Sequence, residues 1–301
     1  RSIMSAKPFV DSNVVGTLVL LEAVRDQKRP IRFIFMSTDE VYGAKAKGER
    51  GKFKETSILA PRNPYAASKA GADLLVQSFN TTHKLGAMIV RATNNYGPYQ
   101  YPEKMLPLFS INAVEDKRLP VYGKGENIRD WLSVWDTARA IDLILHNGKE
   151  GEIHNIAGGN ERQNIWMTKK ILRVVGKPLS LISYVSDRPG HDFRYPVDDS
   201  KIRRKLGWQP IVDFNGELPK VIKWYAQNRD WWEPIRHPEQ KDVRSNTYPL
   251  TVPEKAQKEA VAKYGDGRIV KAEARLVEGK YSLTLKEGRF YENWQEVLEE
   301  Q

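Results

Sequence analysis

The sequence predicts an α/β fold with a parallel sheet, and three observations carry that reading. Short β-rich apolar runs, IRFIFM (Ile31–Met36), AMIVRA (Ala87–Ala92) and Ile153–Ala157, have the character of strands covered on both faces. Stretches with apolar residues at helical spacing separate them, and strands alternating with helices build parallel sheets. At Trp231-Trp232 the rhythm stops, and HPEQKDVRSNTYPL (237–250) reads as a linker to a smaller α+β extension.

In order, Asn13–Val24 (NVVGTLVLLEAV) is the first helix and Ile31–Met36 the first strand. Asn63-Pro64 opens a helix, since Asn is a good N-cap and Pro suits the first helical position. The strand Ala87–Ala92 follows, then helices Pro102–Glu115 and Val134–His146, and a third strand at Ile153–Ala157. Asn164–Val175, Asp199–Leu206 and Glu217–Arg229 read as further helices, the last requiring Pro219 in its first turn. Beyond the linker, Pro253–Tyr264 and Tyr291–Glu300 are helix candidates. Between them, RIVKAEARLV and KYSLTLKE, joined by Glu278-Gly279, suggest a hairpin.

Composition narrows the class of protein. The chain has 301 residues, a prior for about two domains. No run of apolar residues is long enough to span a membrane, and RSIMSAKPF has charge but no apolar core of a signal peptide. With no cysteine, disulfides and thiolate chemistry are excluded. A cytoplasmic location is the default expectation, and no metal site is foreseen. The net charge of +10 belongs to residues 1–236, which hold 37 Lys+Arg against 26 Asp+Glu; residues 237–301 hold 11 against 12. No dense block of Lys and Arg occurs, which argues against a nucleic-acid stripe.

Chemistry concentrates at two places. STDEVYG (Ser37–Gly43) follows the first strand and sets Asp39 beside Glu40 where repulsion and desolvation both oppose it. Tyr65 and Lys69 are four apart near a helix start, so both point to one face. An ammonium near a phenol favours the phenolate, which makes Tyr65 a usable general base. In a parallel α/β sheet the ligand crevice lies beyond the carboxyl ends of the strands. Thr38, Asp39 and Glu40 lie beyond one such end, and Tyr65 arrives from the next helix.

Together these residues resemble the extended short-chain dehydrogenase/reductase superfamily and, within it, the dTDP-glucose 4,6-dehydratase family. The resemblance also rests on NPYAASKAGAD, NNYGPYQYPEKMLPLF (Asn94–Phe109), LPVYGKGENIRDWLSVWD (Leu119–Asp136), HNIAGGNERQN (His154–Asn164), DRPGHDFRY (Asp187–Tyr195) and KLGWQP (Lys205–Pro210). It spans residues 1 to about 236 in order, and the Thr-Asp-Glu triplet is its most discriminating part. Residues 237–301 match nothing in the family.

The resemblance implies a Rossmann-type doubly wound sheet: a nucleotide-cofactor domain over 1–95, a mainly substrate-binding part over 96–236 from which 134–157 returns to the sheet, and an unassigned extension over 237–301. It implies NAD as cofactor, held by Tyr65, Lys69, Asn13 and Ser37, and a dTDP-hexose as substrate. Tyr65 would take the C4 hydroxyl proton during oxidation, Lys69 would tune Tyr65, and Thr38 would hydrogen-bond the same oxygen. Glu40 would remove the C5 proton that the C4 ketone acidifies, and a protonated Asp39 would donate to the departing C6 hydroxyl. Two neighbouring carboxylates with separated pKa values suit that elimination. Asn94 or Asn95, Glu103, Lys104, Tyr122, Asn155 and His191 would line the substrate pocket. Arg129 and Arg188 would hold the diphosphate, because a guanidinium fork suits phosphate oxygens. Trp131, Trp135 and Trp208 are expected in the core. A homodimer through the helices Asn13–Val24 and Pro64–Phe79 is implied by analogy.

The sequence departs from the family pattern in one respect. It contains no G-x-G-x-x-G, the loop whose amides hold a cofactor pyrophosphate. Gly123 and Gly125 supply the first two glycines of such a pattern, but Ile128 stands at the third. The expectation is an N-terminally truncated chain that binds NAD weakly. Other readings remain open at this level: a UDP-sugar dehydratase, epimerase or decarboxylase, a non-catalytic sugar-nucleotide binder, and, least favoured, a nucleic-acid binder.

Overall fold

The computed structural model describes residues 2–187, 189–236, 273–277 and 280–284. It divides into one unit over 1–236 and a second over 237–301. The first unit opens with helix α1 (Lys7–Val10), a π-helical turn (Asp11–Val15) and α2 (Gly16–Arg25). Strand β1 (Ile34–Thr38) leads into a 3-10 turn, Asp39–Tyr42, and then α3 (Pro64–His83). β2 (Met88–Ala92), β3 (Asn94–Tyr96), α4 (Met105–Val114), β4 (Leu119–Tyr122), β5 (Ile128–Ser133) and α5 (Val134–Asn147) follow. β6 (Ile153–Ile156), β7 (Glu161–Gln163), α6 (Asn164–Val175) and β8 (Ile182–Val185) come next, and α7 (Ser200–Leu206), α8 (Phe214–Gln227) and α9 (Arg229–Arg236) close the unit.

The sheet that positions the site has the order β1-β2-β6, parallel throughout, with Thr38 opposite Ala92 and Ala92 opposite Ile156. β2 is buried along its whole length, and its alternate residues serve two cores. Met88, Val90 and Ala92 face Ala140, Ile144, Ile202 and Trp208, while Ile89 faces Leu21, Ala72, Val76 and Phe79. Helices therefore cover both faces, as the apolar runs require. Smaller sheets, β3-β5-β7 and β4-β8, join α4, α6 and α8 around a third core that includes Trp131 and Trp232. Trp131 and Trp208 are buried as expected, and Trp135 is half-buried.

Several boundaries differ from the sequence reading. β1 begins three residues later than expected and ends two later, because its pairing with Met88–Ala92 sets its limits. The first helical stretch starts before Asn13, which itself lies in the π-turn. α4 starts at Met105 because Lys104 is extended (ψ 150°). α8 starts at Phe214, where the Asp213 carboxylate caps the amides of Asn215 (3.2 Å) and Gly216 (2.9 Å). Pro219 therefore lies inside the helix, beyond its first turn, where its missing N–H removes one ladder bond. α9 continues the helical pattern through Trp231 and Trp232. β3, β4, β5, β7 and β8 were not legible: three to six residues, often polar, carry no usable periodicity.

In the second unit, β9 (Glu273–Val277) and β10 (Lys280–Thr284) pair antiparallel with Val277 opposite Lys280, the hairpin expected at Glu278-Gly279. The helices expected at Pro253–Tyr264 and Tyr291–Glu300 lie outside the described residues.

Candidate active site

The site forms where β1 ends. Thr38 is the last residue of the strand and the N-cap of the 3-10 turn, its Oγ1 accepting from the Glu40 amide at 3.4 Å. Thr38 Oγ1 also lies 3.1 Å from Asp39 Oδ1 as donor. The turn is fixed on its far side. Val41 is fully buried, its carbonyl accepts from the Ala60 amide at 3.0 Å, and Gly43 follows with φ +80°. A Cβ on Gly43 would stand 2.4 Å from the Ala60 carbonyl oxygen, so only glycine fits this close.

Asp39 and Glu40 are adjacent but differently housed. Asp39 is buried, and its Oδ2 has no hydrogen-bond partner among the described residues. Burial, reinforced by the neighbouring Glu40 charge, raises its carboxyl well above the usual carboxylate range. Glu40 is half-buried, and its Oε2 accepts from Asn63 Nδ2 at 3.3 Å. One carboxyl is thus held toward the protonated form beside a second held by an amide donor.

Tyr65 and Lys69 lie in the first turns of α3, which Asn63 caps through its Oδ1 and the Ala66 amide (2.9 Å). Lys69 Nζ donates to the Met36 carbonyl and stands 4.3 Å from the centre of the Phe35 ring. Burial pulls its pKa down to about 8. The expected tuning of Tyr65 by Lys69 is not seen here. Burial, followed by the Glu40 charge, pushes the Tyr65 phenol up instead. The physical reason is placement: the lysine serves the strand carbonyl, while the phenol stands with the carboxylates.

The cofactor-side residues sit together. Asn13 Nδ2 donates to Ser68 Oγ at 2.9 Å, and Ser68 Oγ donates to the Tyr65 carbonyl at 2.8 Å. Ser37 Oγ is buried without a partner among the described residues. A lone buried hydroxyl at a strand end, beside a lysine of lowered pKa, fits the polar nicotinamide-ribose end of a dinucleotide. The glycine loop for the pyrophosphate has no counterpart in the sequence, so the fit extends to that end alone.

The expected substrate residues divide. Asn94 Oδ1 is a buried acceptor without a partner among the described residues, while both ends of the Asn95 amide are taken by Thr137 and the Thr93 carbonyl. Tyr122 stands edge-on to His191 (5.9 Å), whose Nδ1 is 2.6 Å from Asp187 Oδ1. Glu103 and Lys104 are exposed just before α4. Arg188 lies outside the described residues.

Two expectations need correction. Arg129 is not an open fork. It is buried, donates to the carbonyls of Ile128 (2.7 Å), Asp192 (3.0 Å) and Phe193 (3.3 Å), and lies over the Tyr195 ring at 4.4 Å. Asn155 does not face a pocket. It is fully buried, accepts from the Tyr42 hydroxyl (2.8 Å) and donates to the carbonyls of Phe53 (3.2 Å) and Asp198 (3.3 Å).

Two residues with roles at the site escaped the sequence reading. The sequence marks Asn63 as a cap, and the structure adds that its second amide end reaches Glu40. Asp130 gathers the amides of Gly158 (3.0 Å), Gly159 (3.1 Å) and Asn160 (2.5 Å), which ties β5 to the loop after β6. Three successive residues in Gly-Gly-Asn were the available signal for such a loop.

A sequence model described as GDP-mannose 4,6 dehydratase matches residues 1–220. A dTDP-glucose 4,6-dehydratase of Streptomyces niveus is 48% identical over 240 residues, which cover 80% of this chain and 70% of that protein. A dTDP-glucose 4,6-dehydratase of Escherichia coli K12 is 44% identical over 258 residues, 78% of this chain and 72% of that one. Among solved structures, the dTDP-glucose 4,6-dehydratase DesIV of Streptomyces venezuelae with NAD bound superposes with a TM-score of 0.75 at 45% identity, covering 78% of this chain and 72% of its own. A UDP-glucuronic acid 4-epimerase of Bacillus cereus reaches a TM-score of 0.67 at 26% identity, with 72% and 68% covered. With the family model across most of its length and these identities beside the Thr38-Asp39-Glu40 and Tyr65–Lys69 geometry, the chain belongs to the dTDP-glucose 4,6-dehydratase family.

Proposed function

We propose that the protein dehydrates dTDP-glucose to its 4-keto-6-deoxy derivative, with Thr38, Asp39, Glu40, Tyr65 and Lys69 as the reacting set. NAD, when bound, accepts the C4 hydrogen with its electron pair and returns it to C6. Tyr65 would take the C4 hydroxyl proton as that carbon is oxidised, as a phenolate favoured once the positive charge of a bound nicotinamide offsets its burial, and Thr38 would hold the same oxygen. Glu40 removes the C5 proton made acidic by the ketone. Asp39 gives its proton to the C6 hydroxyl, which leaves as water. Glu40 returns its proton to C5, and the proton on Tyr65 passes through solvent to restore Asp39. The balance is loss of one water. Ser37, Asn13, Tyr65 and Lys69 hold the nicotinamide-ribose end, and Asn94 meets the substrate.

The observation that carries this reading is the unequal housing of Asp39 and Glu40 at one strand end. A buried carboxyl of raised pKa is suited to give a proton, and the Asn63 amide holds its neighbour as an acceptor. Such a pair suits elimination across adjacent carbons, whereas epimerisation at C4 needs no second carboxylate.

The test is turnover of dTDP-glucose by the full-length protein with NAD, followed by the absorbance of the keto product in alkali. Wild type is expected to turn over, and Glu40→Gln to stall after oxidation. Interconversion of UDP-sugars without loss of water would overturn the reading.

We also infer a homodimer. Its support is the exposed apolar row of Val15, Val19 and Leu20, with Leu74 on α3. Leu74→Arg is expected to shift the protein to monomer in sedimentation; an unchanged dimer would place the interface elsewhere.

A further inference from the structure

The two halves of the reacting set stand on different elements. Tyr65 and Lys69 lie on α3, while Asp39 and Glu40 lie on the 3-10 turn after β1. A buried chain of polar groups joins those elements without touching the chemistry.

It starts on α3. Asp73 follows Lys69 by four residues and Tyr65 by eight, so the three share one helix face. Asp73 is fully buried and holds Arg91 of β2 through two bonds, Nε to Oδ2 and Nη2 to Oδ1, both 2.8 Å. Arg91 is 1% exposed, and its Nη1 donates to the Tyr42 hydroxyl at 2.7 Å. Tyr42 is the last residue of the turn that carries Asp39 and Glu40. Its hydroxyl donates onward to Asn155 Oδ1 at 2.8 Å, and its ring stacks on Phe53 (5.4 Å, 10°). Gln77 Nε2 also donates to Asp73 Oδ1 (2.8 Å), and Arg91 Nη1 to the Glu55 carbonyl (3.3 Å), so the chain is hydrogen-bonded along its length. A buried ion pair is weak evidence for stability but a good device for fixing register.

Resting on the roles assigned under the proposed function, we propose that Asp73, Arg91 and Tyr42 are positioning residues that hold the Asp39–Glu40 turn in register with Tyr65 and Lys69 on α3. Oxidation draws on α3 and on the end of β1, which its pairing with β2 holds in place, whereas elimination also needs the Asp39–Glu40 turn correctly spaced against α3 around one sugar. Loosening the chain should therefore slow elimination more than oxidation. Asp73 also keeps Lys69 in check: its carboxylate favours the ammonium against burial.

The test uses the full-length protein and single turnovers of dTDP-glucose, with oxidation read from cofactor absorbance and elimination from keto product. Tyr42→Phe keeps the ring and removes the link. It is expected to leave the oxidation rate and KM near wild type while elimination falls about tenfold or more. Asp73→Asn keeps the shape and removes the charge. It is expected to move the alkaline limb of the oxidation profile, where Lys69 loses the proton with which it would hold the cofactor end, to lower pH, a shift that a purely structural loss would not produce. Equal changes in both steps, or none, in Tyr42→Phe would overturn the inference, as would an unmoved profile in Asp73→Asn. A wild type that forms no dehydrated product would instead sink the functional reading on which the inference rests.

Discussion

Asn63 and Glu40 meet across the gap between α3 and the strand-end turn, with Asn63 Nδ2 donating to Glu40 Oε2 at 3.3 Å. The same side chain caps α3 through its Oδ1. One residue thus starts the helix that bears Tyr65 and steadies the carboxylate assigned to C5.

These two duties can be separated. Asn63→Ser keeps a capping oxygen and loses the reach to Glu40. Its unfolding free energy is expected within a few tenths of a kcal/mol of wild type, because Asn and Ser cap about equally well. Its elimination step is expected to slow about tenfold, the loss of about one hydrogen bond to a charged group. Asn63→Ala loses both and should also fall by about 1 kcal/mol in urea unfolding. Wild-type elimination rates in Asn63→Ser would show that the bond to Glu40 is incidental.

What the sequence made legible was the contiguous chemistry. Thr38, Asp39 and Glu40 share one strand end, and Tyr65 and Lys69 share one helix face, so spacing alone places them. What stayed hidden depended on where a side chain turns. Arg129 reads as a phosphate fork, yet its donors go to carbonyls of the 192–193 segment, which is more than 60 residues away in sequence. Asn155 reads as a pocket residue, yet its amide closes the Tyr42 chain. The sheet followed from apolar runs because both its faces are covered. The short strands β3 and β7 did not, since Asn94, Asn95 and Glu161–Gln163 carry no alternation of apolar and polar residues.

Asp39 predicts a stability signature as well as a catalytic one. Its folded pKa lies above the ordinary value of 3.8, so the folded protein keeps a proton that the unfolded chain releases. That stabilisation is full below the unfolded pKa and is lost as pH rises through the folded one. Asp39→Asn replaces the protonated carboxyl with a neutral amide of the same shape. The variant is expected to lose less stability than wild type as pH rises above the ordinary carboxyl value of 3.8. It should also oxidise substrate while failing to expel water. Urea midpoints across that range decide the first point; parallel curves for the two proteins would mean that Asp39 is ionised in the fold.

His154 works in the opposite direction. It sits on β6, fully buried, with neither ring nitrogen hydrogen-bonded among the described residues, and Glu152 Oε2 is 3.5 Å from Nε2. Burial, then the Lys201 charge, pushes its pKa down to about 4 from an ordinary 6.5. Between those values the unfolded chain binds a proton that the folded protein refuses. Stability is therefore present above about pH 6.5 and is lost as pH falls toward about 4. The full difference corresponds to about 3 kcal/mol, at about 1.4 kcal/mol per pH unit. His154→Gln removes the titration while keeping a polar side chain of similar length. The variant starts from lower stability at neutral pH, because Gln brings its own unsatisfied amide into the core. Its urea midpoint is nevertheless expected to fall less than that of wild type between about pH 7 and about pH 5, because only wild type must exclude a proton there. Equal falls would show that the acid limb belongs to the carboxylates and not to His154.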